Sequence, residues 1–389
     1  MKPLAITAFT AVSALGRGTG AMLEALRRGT SGLKPNDFDR AELRAWIGRV
    51  AGLEDEPVTG PLAEFDCRNN RLAQLGLRQD GFIEAVARAR SRYGAQRVAV
   101  LLGTSTSGIL QTELAYRARD ARGELPGLRY RHAQNLYSVT DFVRRSLGLE
   151  GPAATISTAC SSSAKVFAGA WRYLETGVAD AAVVGGVDSL CLTTLHGFAS
   201  LQLVSDEPCR PFDAARKGMS IGEAAGYALV ERGAPHDLAL LGYGESSDAY
   251  HMSTPQPEGE GALAAMRQAL ERASLEPAAV DYVNAHGTAT PANDRAEDRA
   301  LVRLFGTTVP VSSTKGWTGH TLGAAGIIEA IVCCLALQHD LIPATLNTSA
   351  IEPGLESMIV LQNRSARVRR ALSNSFGFGG SNCSLVFAA

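Results

Sequence analysis

Lysine is scarce in this 389-residue chain, and the patterns that mark metal-binding, disulfide-bonded or nucleic-acid-binding proteins are missing from it. The formal net charge is only −1, so the charge balance does not point to nucleic acid or to an acidic membrane surface. The seven cysteines form no Cys-x-x-Cys pair, which argues against a zinc site and a disulfide framework. We therefore predict no bound metal, no nucleic-acid partner and a reducing, cytoplasmic compartment.

Long, uncharged hydrophobic runs are also missing. The most apolar stretch, 327–337, contains Glu329 and is too short to span a bilayer. The apolar segment 1–12 has the outline of a signal peptide, but we interpret it as the first core strand. With 46% hydrophobic and 20% charged residues, the composition predicts a large buried core without a membrane span.

What is present is a repeated order of elements. In the first half, a strand at 97–102 ends in Gly-Thr, and an apolar stretch then leads to Cys160. A helix is predicted at 164–176, followed by a buried strand at 181–186. The flanking glycines and the β-branched residues favour strands over buried helix for these short apolar runs.

The second half repeats this order. A strand at 280–285 ends in His-Gly-Thr, and a strand at 309–313 precedes a glycine-rich turn and a helix at about 324–338. Two duplicated α/β halves are therefore predicted, 1–235 with the cysteine and 236–389 with two histidine motifs, each with helices that cover buried sheets.

Cys160 is the residue best placed for chemistry. Its predicted position between a strand and a helix puts the thiol near a helix N-terminus, where free N–H groups and the helix dipole favour the thiolate. His320 lies at the equivalent turn of the second half, and His286 follows a strand end. We expect a pseudo-twofold axis to bring these three side chains to one central site.

Four sequence blocks carry a resemblance to a known family. They are Thr-Ala-Cys-Ser-Ser at 158–162, Asn-Ala-His-Gly-Thr-Ala-Thr-Pro at 284–291, Ser-Thr-Lys at 313–315 with Thr-Gly-His at 318–320, and Asn-Ser-Phe-Gly-Phe-Gly-Gly-Ser-Asn at 374–382. In this order and spacing the chain resembles the β-ketoacyl-[acyl-carrier-protein] synthases of the thiolase superfamily, in the elongating Cys-His-His group. The resemblance implies a thiolase-like fold of five layers, α-β-α-β-α.

The resemblance also implies a decarboxylative Claisen condensation. Cys160 would hold an acyl group, and a malonyl group on an acyl carrier protein would lose CO2 and attack it, giving a 3-oxoacyl-[acyl-carrier-protein]. His286 and His320 would donate hydrogen bonds to the enolate oxygen that develops. No cofactor is implied except the phosphopantetheine arm that the carrier protein brings.

Further roles come from the same resemblance. Lys315 and Glu297 would pair and hold the two histidines, and the N–H groups of Phe378 and Cys160 would form an oxyanion hole. The Phe378 ring would gate the acyl pocket. The substrate-binding residues implied are Thr106, Phe198, Met219, Thr288, Thr290 and Phe376. The other histidines are predicted to be core or surface residues: His132, His196, His236, His251 and His339.

Partners follow from the family as well. The carrier protein is acidic, and the basic residues expected to dock it are Arg68, Arg71, Arg129 and Arg131. The fold implies a dimer, and the sequence leaves open whether it is a homodimer or a heterodimer with a paralogous synthase or chain-length-factor subunit.

Three departures from the family pattern concern the substrate. Thr106 stands where relatives carry a small or branched apolar residue, Met219 where Phe is common, and 222–226 has Ala where Gly is usual. They suggest a substrate range other than the housekeeping one, such as a polar or unsaturated chain of a polyene or polyketide pathway.

Two other functions compete with this interpretation. A thiolase acting on coenzyme A esters would use a second cysteine, for which Cys383 is the nearest in sequence, although it lies in the predicted last strand. A chain-length-factor-like subunit would shape the pocket of an active partner, but such subunits lack the nucleophile that Cys160 supplies.

Overall fold

The computed structural model of the chain describes residues 1–39, 41–234 and 237–389. The predicted boundary between the two halves, at 235/236, lies outside the described residues, as does His236. Ten strands form the core: β1 (Leu4–Ser13), β2 (Val98–Gly103), β3 (Ala153–Ile156), β4 (Ala181–Asp188), β5 (Ala224–Glu231), β6 (Ala239–Ser247), β7 (Tyr282–Asn284), β8 (Pro310–Ser312), β9 (Arg370–Gly377) and β10 (Ser381–Ala388).

The two halves have the same strand order and the same strand directions. The first half runs β1-β5-β4-β2-β3 and the second runs β6-β10-β9-β7-β8. In the first half β2 is parallel to β3 and β4, and β5 is antiparallel to β4 and β1. The second half repeats these directions strand for strand. The predicted duplication is therefore confirmed, and β1 is a central strand.

A short antiparallel contact between β1 and β6, at Leu4–Leu240 and Ala5–Ala239, joins the two halves. Short strands lie around this core: Gly16–Arg17, Lys34–Pro35, Trp46–Gly48, Ile221–Gly222, Leu341–Ile342, Met358–Ile359 and Arg364–Ser365. The helices are α1 (Thr19–Arg28), α2 (Arg68–Leu77), α3 (Phe82–Tyr93), α4 (Ile109–Arg117), α5 (Tyr137–Ser146), α6 (Ser162–Glu175), α7 (Leu192–Ser200), α8 (Glu260–Ala273), α9 (Pro291–Phe305), α10 (Lys315–Thr318) and α11 (Ala325–His339).

The helices and sheets form five layers. Helices α6 and α11 contact each other between the two sheets, with α6 on β2 and β4 and α11 on β9. The outer faces are covered by α2, α3 and α5 on the first half and by α8 and α9 on the second. The predicted α-β-α-β-α architecture is confirmed, and the central helices point their N-terminal ends at the shared site described below.

Helix α11 explains the long apolar stretch of the sequence. The segment Leu322–His339 is apolar enough to cross a membrane, but 89% of it is buried inside the fold. A helix that is hydrophobic on every face belongs in the core of a large protein as readily as in a bilayer. Its one carboxylate, Glu329, is also buried and accepts a hydrogen bond from the Lys315 ammonium.

Candidate active site

Cys160 lies in a tight turn between β3 and α6. Ala159 just before it has a positive φ of 52°, an uncommon conformation for a residue with a side chain. The Ser162 hydroxyl holds this turn, because it accepts the Thr158 N–H at 2.9 Å and donates to the Ala159 carbonyl at 2.6 Å. The thiol of Cys160 is thereby fixed at the start of α6, where the sequence predicts it.

The two histidines meet Cys160 from the second half. His320 follows β8 and α10, and its Nε2 lies 2.9 Å from the Cys160 sulfur. His286 follows β7, and its ring centroid lies 5.4 Å from that of His320, with the rings nearly perpendicular. The sulfur and one nitrogen of each ring all lie within 4.8 Å of one another. The convergence expected from the duplicated topology is confirmed.

Both imidazoles are held in the neutral form. Burial and the nearby Lys315 ammonium lower the pKa of His286 and of His320 well below the usual range. The Lys315 Nζ lies 3.3 Å from His286 Nδ1 and also donates to the His286 carbonyl oxygen. Because an ammonium can only donate, His286 Nδ1 is the acceptor and its Nε2 carries the hydrogen.

The partner of Lys315 is Glu329, not Glu297. Lys315 Nζ lies 2.5 Å from Glu329 Oε1, and both side chains are buried. The expected Lys315–Glu297 pair is wrong because Glu329, on the first turns of α11, faces the ammonium directly. The sequence does contain a sign of this pair. Glu329 is the only carboxylate in an otherwise apolar helix, and a buried carboxylate needs a charged or hydrogen-bonding partner.

Glu297 instead fixes the backbone that carries His286. Its two oxygens accept the N–H groups of His286 and Gly287, each at 2.8 Å, and Asn374 Nδ2 lies 3.2 Å from Oε1. Burial raises the pKa of Glu297 to about 7, although these three donors favour the carboxylate. Glu297 therefore acts on His286 through the main chain.

The Cys160 thiol is less acidic than its position suggests. Burial raises its pKa to about 11, while the Lys315 charge and the Phe378 N–H, which is directed at the sulfur, lower it. At neutral pH the resting group is a protonated thiol in contact with His320. His320 Nδ1 is buried without a hydrogen-bond partner among the described residues, so the protein leaves both tautomers of this ring open.

A cavity of about 350 Å³ opens over these three residues. Five of the six predicted substrate-binding residues line it: Phe198, Met219, Thr288, Thr290 and Phe376. The Phe378 ring also lines it and packs against Phe198, with centroids 5.6 Å apart. The Thr288 and Thr290 hydroxyls lie 2.8 Å from each other. The cavity thus has a polar side at the threonines and an apolar side at the phenylalanines.

Thr106 does not line this cavity among the described residues, and its contact with the acyl chain stays a prediction. Its hydroxyl donates to Asp188 Oδ1 at 2.9 Å, because that buried carboxylate gathers the donors of the whole 104–106 turn. The cavity also has lining residues that were not predicted from the sequence, among them Leu201, Leu203, Asp248, His251, Ser253 and Asn293. The signal for Asp248 and His251 is the sequence Ser-Asp-Ala-Tyr-His-Met at 247–252, which also resembles the family.

The four arginines predicted to dock a carrier protein differ in availability. The Arg68 side chain is only 8% exposed, with its guanidinium 2.6 Å from Glu223 and 2.5 Å from Glu54, so its docking role stays a prediction and we leave it out of the docking site proposed below. Arg71 is half-buried and pairs with Asp66 at 2.6 Å. Arg129 donates to the main-chain carbonyls of Glu64 and Asp66. Arg131 is exposed, and its side chain has no polar partner among the described residues.

Cys160, His286 and His320 have the composition of a zinc ligand set and are close enough to hold one ion. The buried ammonium beside His286 Nδ1 opposes a cation there. The arrangement fits acyl-transfer chemistry better, since a thiol nucleophile, two neutral imidazoles and a directed backbone N–H face one cavity.

Comparison with known proteins agrees with this geometry. Residues 1–236 match the family described as Beta-ketoacyl synthase, N-terminal domain, and residues 239–349 match Beta-ketoacyl synthase, C-terminal domain. The chain belongs to the β-ketoacyl synthase family. The 3-oxoacyl-[acyl-carrier-protein] synthase 2 of Coxiella burnetii is 33% identical to this β-ketoacyl synthase, over 98% of this chain and 97% of that protein.

Solved structures of related synthases are similar along the whole chain. The ketosynthase ApeO in complex with its chain length factor ApeC, from Xenorhabdus doucetiae, matches this β-ketoacyl synthase with a TM-score of 0.92 and 38% identity, over 100% of this chain and 98% of that one. The ishigamide ketosynthase/chain length factor matches with a TM-score of 0.89 and 27% identity, over 100% and 99%.

Proposed function

We propose that this chain is an elongating 3-oxoacyl-[acyl-carrier-protein] synthase that carries its acyl substrate on Cys160. The observation that carries the proposal is the 2.9 Å contact between Cys160 and His320 opposite a neutral His286, at the floor of a cavity with an apolar side. In a β-ketoacyl synthase, this arrangement supports both the transfer of an acyl group and the stabilisation of an enolate.

In the first half-reaction, the Cys160 sulfur attacks the acyl thioester of a carrier protein. His320 Nε2 accepts the thiol proton, which is needed because the resting pKa is about 11. The N–H groups of Phe378 and Cys160 stabilise the tetrahedral oxyanion, and the carrier thiol leaves with the proton. One thioester replaces another, so the step is close to balanced.

In the second half-reaction, a malonyl thioester enters the emptied site. Its carbon–carbon bond breaks, CO2 leaves, and the electron pair forms an enolate whose oxygen accepts hydrogen bonds from His286 and His320 Nε2–H. The enolate carbon attacks the acyl-cysteine carbonyl, and the Cys160 thiolate is expelled and takes up a proton from solvent to restore the thiol. The product is a 3-oxoacyl group on the carrier protein, two carbons longer than the acyl group supplied.

The carrier protein brings the phosphopantetheine arm, and the polar side of the cavity fits its amides. The Thr288 and Thr290 hydroxyls, which face each other across 2.8 Å, can exchange their mutual hydrogen bond for bonds to such groups. Arg131 is our docking site for the acidic carrier surface, together with Arg129 and with Arg71, since Arg71 and Arg129 both bind Asp66. We place the reaction in the cytoplasm, where reduced thiols persist.

An exposed apolar face supports a subunit partner. Large side chains are exposed along α4 and the segment that follows it: Leu114, Tyr116, Leu128, Tyr130, Leu136 and Tyr137. Exposed large apolar side chains concentrated in one segment are typical of a protein–protein interface. Because two related structures pair a ketosynthase with a chain length factor, we propose a second synthase-like subunit on this face, either a paralogous chain-length factor or a second copy.

The competing functions fit the structure less well. A thiolase would need a second thiol at the site, but Cys383 is fully buried in β10 and does not line the cavity. For the substrate range, the departure that bears on the cavity directly is Met219, which lines it. An unsaturated or polyketide chain is our proposal for the preferred substrate, to be tested by competition against saturated acyl carriers.

The direct test of the function is reconstitution. The purified protein, alone and co-expressed with a chain-length-factor subunit, is incubated with an acyl and a malonyl carrier protein, and the 3-oxoacyl product is measured by mass spectrometry. We expect product from the wild-type protein and none from Cys160→Ala. Product formation by folded Cys160→Ala, or none from wild type in any pairing, would contradict the proposal.

A further inference from the structure

Helix α7 is weakly anchored, although it forms one wall of the acyl cavity. Among its nine residues, all of them described, only Leu195 is fully buried. Phe198 in its last turn packs against the Phe378 ring, and the turn after the helix contributes Leu201 and Leu203 to the cavity wall. The position of α7, through Phe198, therefore sets the width of the apolar side of the cavity.

The N-terminus of α7 is capped from another helix. Its own N-cap residue, Cys191, makes no side-chain cap. Instead Glu113 of α4 accepts the Leu192 N–H at 3.0 Å and the Thr193 N–H at 2.8 Å, and the Thr193 hydroxyl donates to it at 2.6 Å. A carboxylate at this end satisfies free N–H groups and complements the helix dipole.

Helix α4 in turn depends on what covers it. Of its described residues only Ala115 is buried, and Leu114 and Tyr116 are 40% and 61% exposed. These two side chains belong to the apolar face that we assign to the partner subunit. Glu113 therefore stands between a helix that the partner covers and a helix that the acyl chain contacts.

We propose that Glu113 is a positioning residue that ties the subunit face to the acyl cavity and so helps to set which chain lengths are accepted. It fixes α7 against α4, and α7 holds Phe198 opposite Phe378. The inference rests on the proposed function, because it assigns the cavity to an acyl chain. Loss of a cap of this kind shifts a local folding equilibrium about fivefold, which is the scale expected for the effect on specificity.

The test compares Glu113→Ala with Glu113→Gln, which keeps an oxygen acceptor but not the charge. Glu271→Ala is the matched control, since Glu271 is exposed on α8 and its side chain has no hydrogen-bond or ion-pair partner among the described residues. Two quantities are measured in the full protein with its partner subunit. One is the ratio of Cys160 acylation rates for decanoyl and acetyl carrier proteins, and the other is malonyl decarboxylation.

We expect Glu113→Ala to change the decanoyl-to-acetyl ratio about fivefold while decarboxylation stays within about twofold. Among the described residues, the side-chain hydrogen bonds and ring contacts of the two histidines are made with residues outside α7. Glu113→Gln should lie between this variant and wild type, and Glu271→Ala should match wild type. Hydrogen exchange at Leu192 and Thr193 should rise most in Glu113→Ala, less in Glu113→Gln and not in Glu271→Ala.

An unchanged ratio in Glu113→Ala, or an equal fall in both acylation rates and in decarboxylation, would overturn the inference. Failure of the proposed function itself looks different, because wild-type protein would then acylate Cys160 from neither donor. The hydrogen-exchange measurement needs no activity, so it tests the cap even in that case.

Discussion

The buried pair of Lys315 and Glu329 should contribute to folding and to catalysis in ways that can be separated. Lys315→Met removes the ammonium that lies 2.5 Å from Glu329 Oε1 and donates to His286. Breaking a buried ion pair by removing one partner costs about 3–5 kcal/mol. We expect a value near the lower end, because burial already raises the pKa of Glu329 and the lone carboxyl can take up a proton.

The catalytic loss has another origin. Without Lys315, nothing holds His286 in the tautomer that donates from Nε2. Deleting an oxyanion donor outright costs about 100–1,000-fold, so we expect malonyl decarboxylation to fall by about 10–100-fold in Lys315→Met. The double variant Lys315→Met/Glu329→Gln replaces both charges by neutral groups of similar size, which is often nearly neutral for stability.

Urea unfolding and carbon dioxide release from a malonyl carrier protein measure the two effects. The double variant should regain most of the stability lost in Lys315→Met but none of the decarboxylation. Wild-type decarboxylation in folded Lys315→Met would refute the role of Lys315 in holding His286. Recovery of both quantities in the double variant would show that Lys315 serves folding alone.

Three further predictions concern single groups in the site. Burial raises the pKa of Cys160 to about 11, so the rate of its alkylation by iodoacetamide should rise about tenfold per pH unit between pH 7 and 10. A rate that levels off near pH 7 would show instead that the helix N-terminus lowers this pKa more than burial raises it. His286→Ala should slow decarboxylation by about 100–1,000-fold but acylation of Cys160 by less than about threefold; equal losses would contradict the division of labour. Glu297→Ala leaves the buried N–H groups of His286 and Gly287 unpaired, so it should lower the free energy of unfolding by about 2–4 kcal/mol in urea titration, and a loss below about 0.5 kcal/mol would contradict that contact.

The sequence predicted the fold through its repetition. Strand, glycine-containing turn and helix recur with β-branched and small apolar residues in both halves, and these patterns fix β2, β4, α6 and α11 with small differences at their ends. It did not predict β9 as a full strand, because Arg370–Gly377 is rich in Ser and Asn. Those polar residues are buried by their neighbours across the sheet, and a local pattern does not show that.

The site was predictable where a residue acts from a turn. Cys160 and His286 follow strand ends and His320 follows the short helix after β8, so the topology alone brings them together. The Lys315–Glu329 pair was missed because it joins residues of two elements at a distance that only tertiary packing sets. The partners of Arg68 and Thr106 were unpredictable for the same reason, since Glu223 and Asp188 bind them inside the fold.

The most direct test of the account is the intact mass of the protein after incubation with an acyl carrier protein alone, followed by peptide mapping. We predict one acyl group per chain, located on Cys160, which disappears when a malonyl carrier protein is added and reappears on that carrier two carbons longer. The same protein with Cys160→Ser should hold no such thioester. An acyl group on another residue, or a folded wild-type protein that stays unmodified with its partner subunit present, would contradict the account.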